Sequence, residues 1–292
     1  MPDWREIARQ ISKATGSTFS PDTPRQISGG CINNAIRLSD GVASYFVKFN
    51  QTSMRAMFEA EMAGLLELAA SHAIRVPQPI CCGTTANEAY LVMEHIQFGT
   101  SGDSARAGRE LAAMHRTRQE QFGWHRDNTI GSTPQSNARH ADWVTFWRDE
   151  RLGLQLELAA NSGLGGPLIE RGELLLSLFP ALIDHNPQPS LLHGDLWGGN
   201  LGYDRTGNPV IFDPATYYGD READLAMTEL FGGFGQPFYH AYNEAWPLEA
   251  GYAVRKTLYN LYHITNHLNL FGGGYAEQAL RMTEQLLAEL GH

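Results

Sequence analysis

The chain has 292 residues, 42% of them hydrophobic, with 22 Lys+Arg against 32 Asp+Glu and a formal charge of −10. That is the profile of a soluble globular protein of about two domains, and the acidic balance excludes a nucleic-acid backbone as the main partner, which needs clustered Lys and Arg. Cys31, Cys81 and Cys82 supply neither a disulfide framework nor a Cys-x-x-Cys pair, the start Met1-Pro2-Asp3-Trp4-Arg5-Glu6-Ile7 carries no export signal, and no apolar run approaches ~18 residues, so a cytoplasmic protein without a membrane span is expected.

Trp4, Ile7, Ala8 and Ile11 recur at helical spacing and predict a helix ending near Gly16. Ala35 to Leu38, the turn Ser39-Asp40-Gly41, and Ser44 to Phe49 read as a hairpin with Asp-Gly turn chemistry. Residues 53 to 70 read as a helix, Val76-Pro77-Gln78-Pro79 as a break, and Ala89 to Met93 as a strand. The Gly-rich stretch Gly99-Thr100-Ser101-Gly102 comes next, and the division between an N-terminal part (1–96) and a C-terminal part (97–292) is set there. Beyond it helices are predicted at about 104–119, 142–160, 172–184, 221–231, 250–268 and 275–290. Leu191-Leu192 and Val210-Ile211-Phe212 interrupt them as short strands bracketing a polar loop.

That loop reads His193-Gly194-Asp195-Leu196-Trp197-Gly198-Gly199-Asn200, and Asp213 comes directly after the second strand. Phosphoryl transfer needs a carboxylate to orient the acceptor hydroxyl and take its proton, and oxygen ligands for the Mg²⁺ that bridges the ATP phosphates. Asp195 fits the base, Asn200 and Asp213 the metal ligands. The plainer alternative is a tight turn closed by Asp195 and Asn200, with Asp213 capping the next segment. The same chemistry needs a strand Lys for the phosphates and a helical Glu to hold it. Lys48 lies in the strand pattern, and Glu61 sits within the apolar face formed by Met54, Met57, Phe58, Leu65 and Leu68, where an unpaired carboxylate would be costly. Glu61 therefore pairs with Lys48 or faces a cleft, unless both belong to an exposed edge.

Ser28-Gly29-Gly30-Cys31 precedes the hairpin strand, where Gly29 and Gly30 could bring backbone N–H groups onto phosphates, although a Gly pair is also simply a turn. Met93-Glu94-His95-Ile96 ends the last strand of the N-terminal part, where a kinase hinge would offer backbone N–H and C=O groups to adenine; the alternative is an ordinary connector. Asp220 and Glu222 suit the start of a helix through its dipole, whereas Asp224 lies further in and is the better candidate for a buried carboxylate that accepts backbone N–H groups and stiffens the loop. His193 is grouped with this loop support. Trp197 could offer an apolar face to a substrate or fill the core, and Cys31 could be a redox thiol or an inert one.

Leu192-His193-Gly194-Asp195-Leu196-Trp197-Gly198-Gly199-Asn200, Ile211-Phe212-Asp213-Pro214-Ala215, Gly219-Asp220-Arg221-Glu222, Asp224-Leu225-Ala226-Met227 and Leu230-Phe231-Gly232-Gly233-Phe234 resemble signature blocks of the fructosamine kinase (ketosamine 3-kinase) family, within the aminoglycoside- and choline-kinase-like enzymes. Phe46-Val47-Lys48, Phe58-Glu59-Ala60-Glu61, Asn266-His267-Leu268 and Phe271-Gly272-Gly273-Gly274-Tyr275 are similar to it too. The resemblance implies an α+β, protein-kinase-like fold, with a small antiparallel-sheet lobe, a larger helical lobe and ATP in the cleft. It also implies transfer of the ATP γ-phosphoryl group to the 3-hydroxyl of a sugar joined to an amine, and release of the amine when the product decomposes. One departure is that Cys31-Ile32-Asn33 stands where kinases complete a Gly-x-Gly-x-x-Gly loop. The alternatives are another small-molecule kinase and a catalytically silent nucleotide-binding sensor. The expected partner is a small or protein-bound ketosamine, and the chain is read as a monomer or homodimer.

Overall fold

Alternation in Ser44–Gln51 divides the residues of that strand between two faces of a sheet. Tyr45, Val47 and Phe49 join a core with Ile7, Ala8, Ile11, Phe19, Ile36, Leu38, Tyr90 and Val92, and Lys48 points to the opposite side. The computed structural model describes residues 3–27 and 32–292. Contacts divide the chain into two compact units, Met1–Asp103 with Leu201–Pro214, and Ser104–Asn200 with Ala215–His292.

In the first unit the chain runs α1 (Trp4–Thr15), β1 (Arg25–Gln26), β2 (Asn34–Ser39), β3 (Ser44–Gln51), α2 (Arg55–Ala70), β4 (Pro79–Thr84) and β5 (Glu88–Glu94). The strands form an antiparallel sheet in the order β1-β2-β3-β5-β4. Asp3 caps α1 by accepting from the Arg5 and Glu6 N–H groups, and Gly16 ends the helix in the left-handed region at φ 70°. Met57, Phe58, Leu65 and Leu68 make the buried face of α2, which packs on β4 and β5. The break expected at residues 76–79 is shorter than its sequence suggests, since Pro79 already begins β4. A strand can start on proline because its first residue need not donate to the ladder.

Residues 201–214, which the division at residue 97 leaves with the C-terminal part, pack within the first unit. Leu201–Tyr203 and Pro209–Ile211 pair as an antiparallel hairpin, so the strands at 191–192 and 210–212 are not partners of each other. Arg75 anchors the hairpin. Its guanidinium meets the Asp204 carboxylate at 2.6 Å, and its carbonyl accepts from the Ile211 N–H at 3.0 Å.

The second unit is mainly helical. The helix Tyr252–Phe271 packs against Arg221–Leu230 and Tyr275–Glu289, and Ser104–His115 packs on Gln236–Ala245, a helix that the sequence pattern did not reveal. The helical stretch from Trp143 to Asn161 contains a π-helical turn at Arg148–Leu152. That turn carries Arg151 into the interior, where its guanidinium lies 4.0 Å over the Tyr217 ring and donates to the carbonyls of Ser136 and Glu150 and to Asn137. Ser190–Leu192 pairs with Tyr217–Gly219, and the small hairpin Asn128–Ile130/Thr133–Gln135 completes the unit.

His263, on the helix Tyr252–Phe271, is 4% exposed, and burial pushes its pKa down to about 3. Unfolding below the ordinary histidine range therefore takes up a proton. Stability from this residue is complete above its unfolded pKa and is lost as pH falls towards the folded value. The wild-type Tm is expected to fall on acidification from about pH 7 to about pH 4.5, and a His263→Leu variant to fall less steeply over the same interval. Parallel pH profiles in thermal melts would contradict this.

Candidate active site

In the first unit three charged groups meet at Lys48. Its Nζ lies 2.6 Å from Glu61 Oε1 and 2.5 Å from Asp213 Oδ1. The Lys48 and Glu61 side chains are about nine-tenths buried, at 9% and 10% exposed, whereas Asp213 is 41% exposed. Burial alone would lower the Lys48 pKa, but the carboxylates of Asp213 and Glu61 outweigh it and hold the ammonium above its ordinary value. Burial pushes Glu61 up, and the Lys48 ammonium opposes that rise. The helix face places Glu61 where the strand alternation places Lys48, and the pair is formed. Asp213 has φ 59°, a left-handed conformation uncommon for a residue with a side chain. Such conformations persist where the surroundings impose them, and they cluster at functional sites.

At the end of β5, the Glu94 N–H donates to the Gln78 carbonyl at 2.8 Å and the His95 N–H to the Ser44 carbonyl at 3.4 Å. The Glu94 carboxylate pairs with Arg75 at 2.5 Å. Two of the three backbone donors expected to face adenine are therefore committed within the sheet, and buried Ile96 comes after them. Gly29, Gly30 and Cys31 lie outside the described residues.

The second unit holds the loop His193–Asn200. The Asn200 amide nitrogen donates to the Asp195 carbonyl at 2.8 Å and to its carboxylate at 3.3 Å, so the two are brought together, with Asn200 Oδ1 as the remaining ligand atom. The Asp195 N–H donates to His193 Nδ1 at 3.2 Å. Beneath them, Asp224 is 1% exposed and accepts from the His193 N–H at 2.7 Å and the Gly194 N–H at 2.8 Å. Gly194 has φ 83°, and a Cβ there would meet the Ala215 carbonyl oxygen at 2.1 Å, so only glycine fits. Trp197 is 39% exposed, so its ring does not fill the core.

His115 is the loop support that the sequence pattern alone did not single out. It lies one turn beyond Leu111 on the buried face of Ser104–His115, a spacing that could have flagged it. Its Nε2 meets Asp224 at 3.2 Å, and its Nδ1 meets the Tyr242 hydroxyl at 2.8 Å, which Arg221 approaches at 3.2 Å. Burial lowers the His115 pKa and keeps the ring neutral, so Nε2–H donates to Asp224 and Nδ1 accepts from Tyr242. Burial alone would raise the Asp224 pKa, but the hydrogen bond from His115 and those from the backbone donors hold it below the ordinary carboxylate value.

Asp220 and Glu222 do more than complement a helix dipole. Asp220 caps the helix by accepting from the Glu222 N–H at 3.0 Å, and it also takes the Tyr259 hydroxyl at 2.5 Å and His185 at 2.8 Å. Glu222 is 1% exposed and holds Arg255 through both oxygens at 2.7 and 3.0 Å, while Asp184 pairs with the same guanidinium. Donor atoms of His185, Asp220 and Glu222 lie within 4.8 Å of one another, but these partners already engage the carboxylates, so the cluster is an internal ion network.

The antiparallel sheet with its Lys–Glu pair in the first unit, and the loop with its Asp–Asn pair in the second, are arrangements found in phosphotransferases of the protein-kinase-like class. Structural likeness agrees at the level of fold. The choline kinase LicA of Streptococcus pneumoniae matches with TM-score 0.63 at 15% identity, covering 98% of this chain and 99% of that one. A Haemophilus somnus 129PT protein of the fructosamine-3-kinase type matches with TM-score 0.89 at 29% identity over 97% of both chains. In sequence, the chain is 50% identical to a probable ketoamine kinase of Synechocystis over 97% of each, and 44% identical to the chloroplastic protein-ribulosamine 3-kinase of Arabidopsis thaliana over 90% of this chain and 82% of that one. The Fructosamine kinase family model matches residues 3–289, and the chain belongs to that family. Among the described residues no helix is long and apolar enough to cross a membrane.

Proposed function

We propose that this chain is an ATP-dependent ketosamine 3-kinase of the cytoplasm, acting on ribulosamine- or fructosamine-type adducts of small amines or protein lysines. The observation that carries the reading is Asp195, presented with Asn200 on a loop whose backbone Asp224 pins, in a chain of this family. The names of its relatives, ketoamine kinase and protein-ribulosamine 3-kinase, support the substrate class.

Asp195 accepts the proton of the 3-hydroxyl as that oxygen bonds to the γ-phosphorus and the bond from phosphorus to the ADP oxygen breaks. Lys48, oriented by Glu61, contacts the ATP phosphates. Ile96 offers backbone to adenine. The half-exposed Asp213 carboxylate and the Asn200 amide oxygen are hard donors that suit Mg²⁺, and they would hold it. When bound, the ion neutralises charge on the transferring phosphates. Phosphorylation at O3 leads to loss of the sugar and release of the free amine, which amounts to deglycation.

A substrate panel in a coupled ADP assay tests the assignment. Turnover of ribulosamines or fructosamines, with none of free sugars, choline or an aminoglycoside, is the expected result. Preference for one of the latter would identify another small-molecule kinase, and tight ATP binding without ADP formation on any acceptor would identify a silent sensor. Because Glu61 orients Lys48, Glu61→Gln is expected to lower kcat/KM for ATP by about 10²-fold while the protein stays folded; unchanged ATP kinetics would remove Glu61 from the site.

A further inference from the structure

Sequence positions far apart bring five rings of the second unit into one row. Trp197 lies 6.3 Å from Phe231, Phe231 5.1 Å from His267, and His267 5.5 Å from Phe271 and 5.3 Å from Tyr275, between ring centroids. Trp197, Phe231 and Phe271 are 39%, 39% and 57% exposed, three of the seven large hydrophobic side chains that face solvent among the described residues. Contiguous exposed aromatics keep apolar surface in water and mark binding surfaces. The row is also built to a shape. His267 Nδ1–H donates to the His263 carbonyl at 2.8 Å, which fixes the central ring. A Cβ at Gly199 would meet the Trp197 ring at 2.3 Å, so the indole takes up its position only because residue 199 has no side chain. Beyond Phe231 and Phe271, Gly232 and Gly272 turn the chain with φ 111° and 63°, and a Cβ on either would meet nothing within 4 Å, so the surface beside the rings stays open.

The occupant is set by where the row begins. Trp197 is two residues after Asp195, the base that takes the proton of the sugar 3-hydroxyl in the proposed reaction. In a ketosamine the nitrogen is joined to C1, two carbons from C3, so the group carried by the amine emerges close to the reacting hydroxyl. That amine is secondary and cationic at neutral pH, and it bears a hydrocarbon arm. Ring faces attract a cation and pack against methylenes or another ring. We propose that Phe231, Phe271 and Tyr275, arranged around His267, form a subsite for the amine-bearing arm of the ketosamine. This rests on the ketosamine reading and deepens it. An open shelf admits a long aliphatic arm such as a lysine side chain, or an aromatic amine, and has little to hold in a methylamine adduct.

The test compares kcat/KM for ribulosamines of methylamine, Nα-acetyl-lysine and benzylamine, with wild type and Phe271→Ala. Phe271 is largely solvent-facing, so the variant folds. Wild type is expected to favour the lysine and benzyl adducts over the methyl adduct by about five- to tenfold. Phe271→Ala is expected to lose most of that preference, with the KM for ATP unmoved. Equal activity of wild type on all three adducts, or an equal fall on all three in the variant, would overturn the subsite while leaving the ketosamine assignment standing. Failure of the wild type to turn over any adduct would overturn both.

Discussion

Asp195→Asn is expected to lower kcat by about 10³-fold or more, within the range that general-base removal covers, with ATP affinity kept within about twofold. The amide has nearly the shape of the carboxylate and can still receive the Asn200 amide, which lies 3.3 Å from the Asp195 carboxylate. Loop geometry therefore survives and only proton acceptance is lost. The split between kcat and nucleotide affinity gives the experiment its force. A variant that loses ATP binding as well has lost the loop, and one that keeps its turnover does not use Asp195 as the base. Single-turnover transfer from ATP, together with a nucleotide titration, separates these outcomes.

Asp224→Ala is expected to cost about 3–5 kcal/mol of stability, since three buried donors lose their acceptor at roughly 1–3 kcal/mol each, and to abolish activity. Removal of the carboxylate strands the His193 and Gly194 N–H groups and the His115 Nε2–H, all buried and all directed at it. In a protein of this size the loss lowers Tm by roughly 10 °C. Asp224→Asn keeps one acceptor oxygen but turns an N–H₂ towards a donor, and it is expected to fall between wild type and alanine in both Tm and kcat. A thermal melt and a kcat measurement on the two variants check this. Full activity in Asp224→Ala would show that the loop holds its shape by other means.

Much of this was legible in the sequence because the signals are local and periodic. The strand pattern contained Lys48, the helical wheel set Glu61 on the apolar side of α2, and the pairing of the two follows from the cost of leaving a charge buried alone. Asp224 was legible for the same reason, as a carboxylate one position before a buried leucine in a helix. What escaped depends on partners distant in the chain. Residues 201–214 join the first unit through Arg75, more than a hundred residues earlier, and no periodicity in the hairpin announces that. Glu222 looks like an ordinary first-turn acid until Arg255, on another helix, closes on it. The helix Gln236–Ala245 begins with Gln-Pro after a glycine-rich turn, so its start reads as loop although proline suits a first helical turn. His115 differs from these, because its position on an apolar helix face is itself a local signal.

If this chain moves a phosphoryl group from ATP to the 3-hydroxyl of an amine-linked sugar with Asp195 as base, both the position of the phosphate and its rate of formation report it. The most direct test incubates a ribulosamine with ATP and Mg²⁺ and locates the phosphorus by NMR, with wild type and Asp195→Asn side by side. Phosphate on O3 is expected with wild type, the same product formed about 10³-fold more slowly with the variant, and no product from a 3-deoxy analogue with either. Phosphate on another hydroxyl, or an equal rate with the variant, would contradict this.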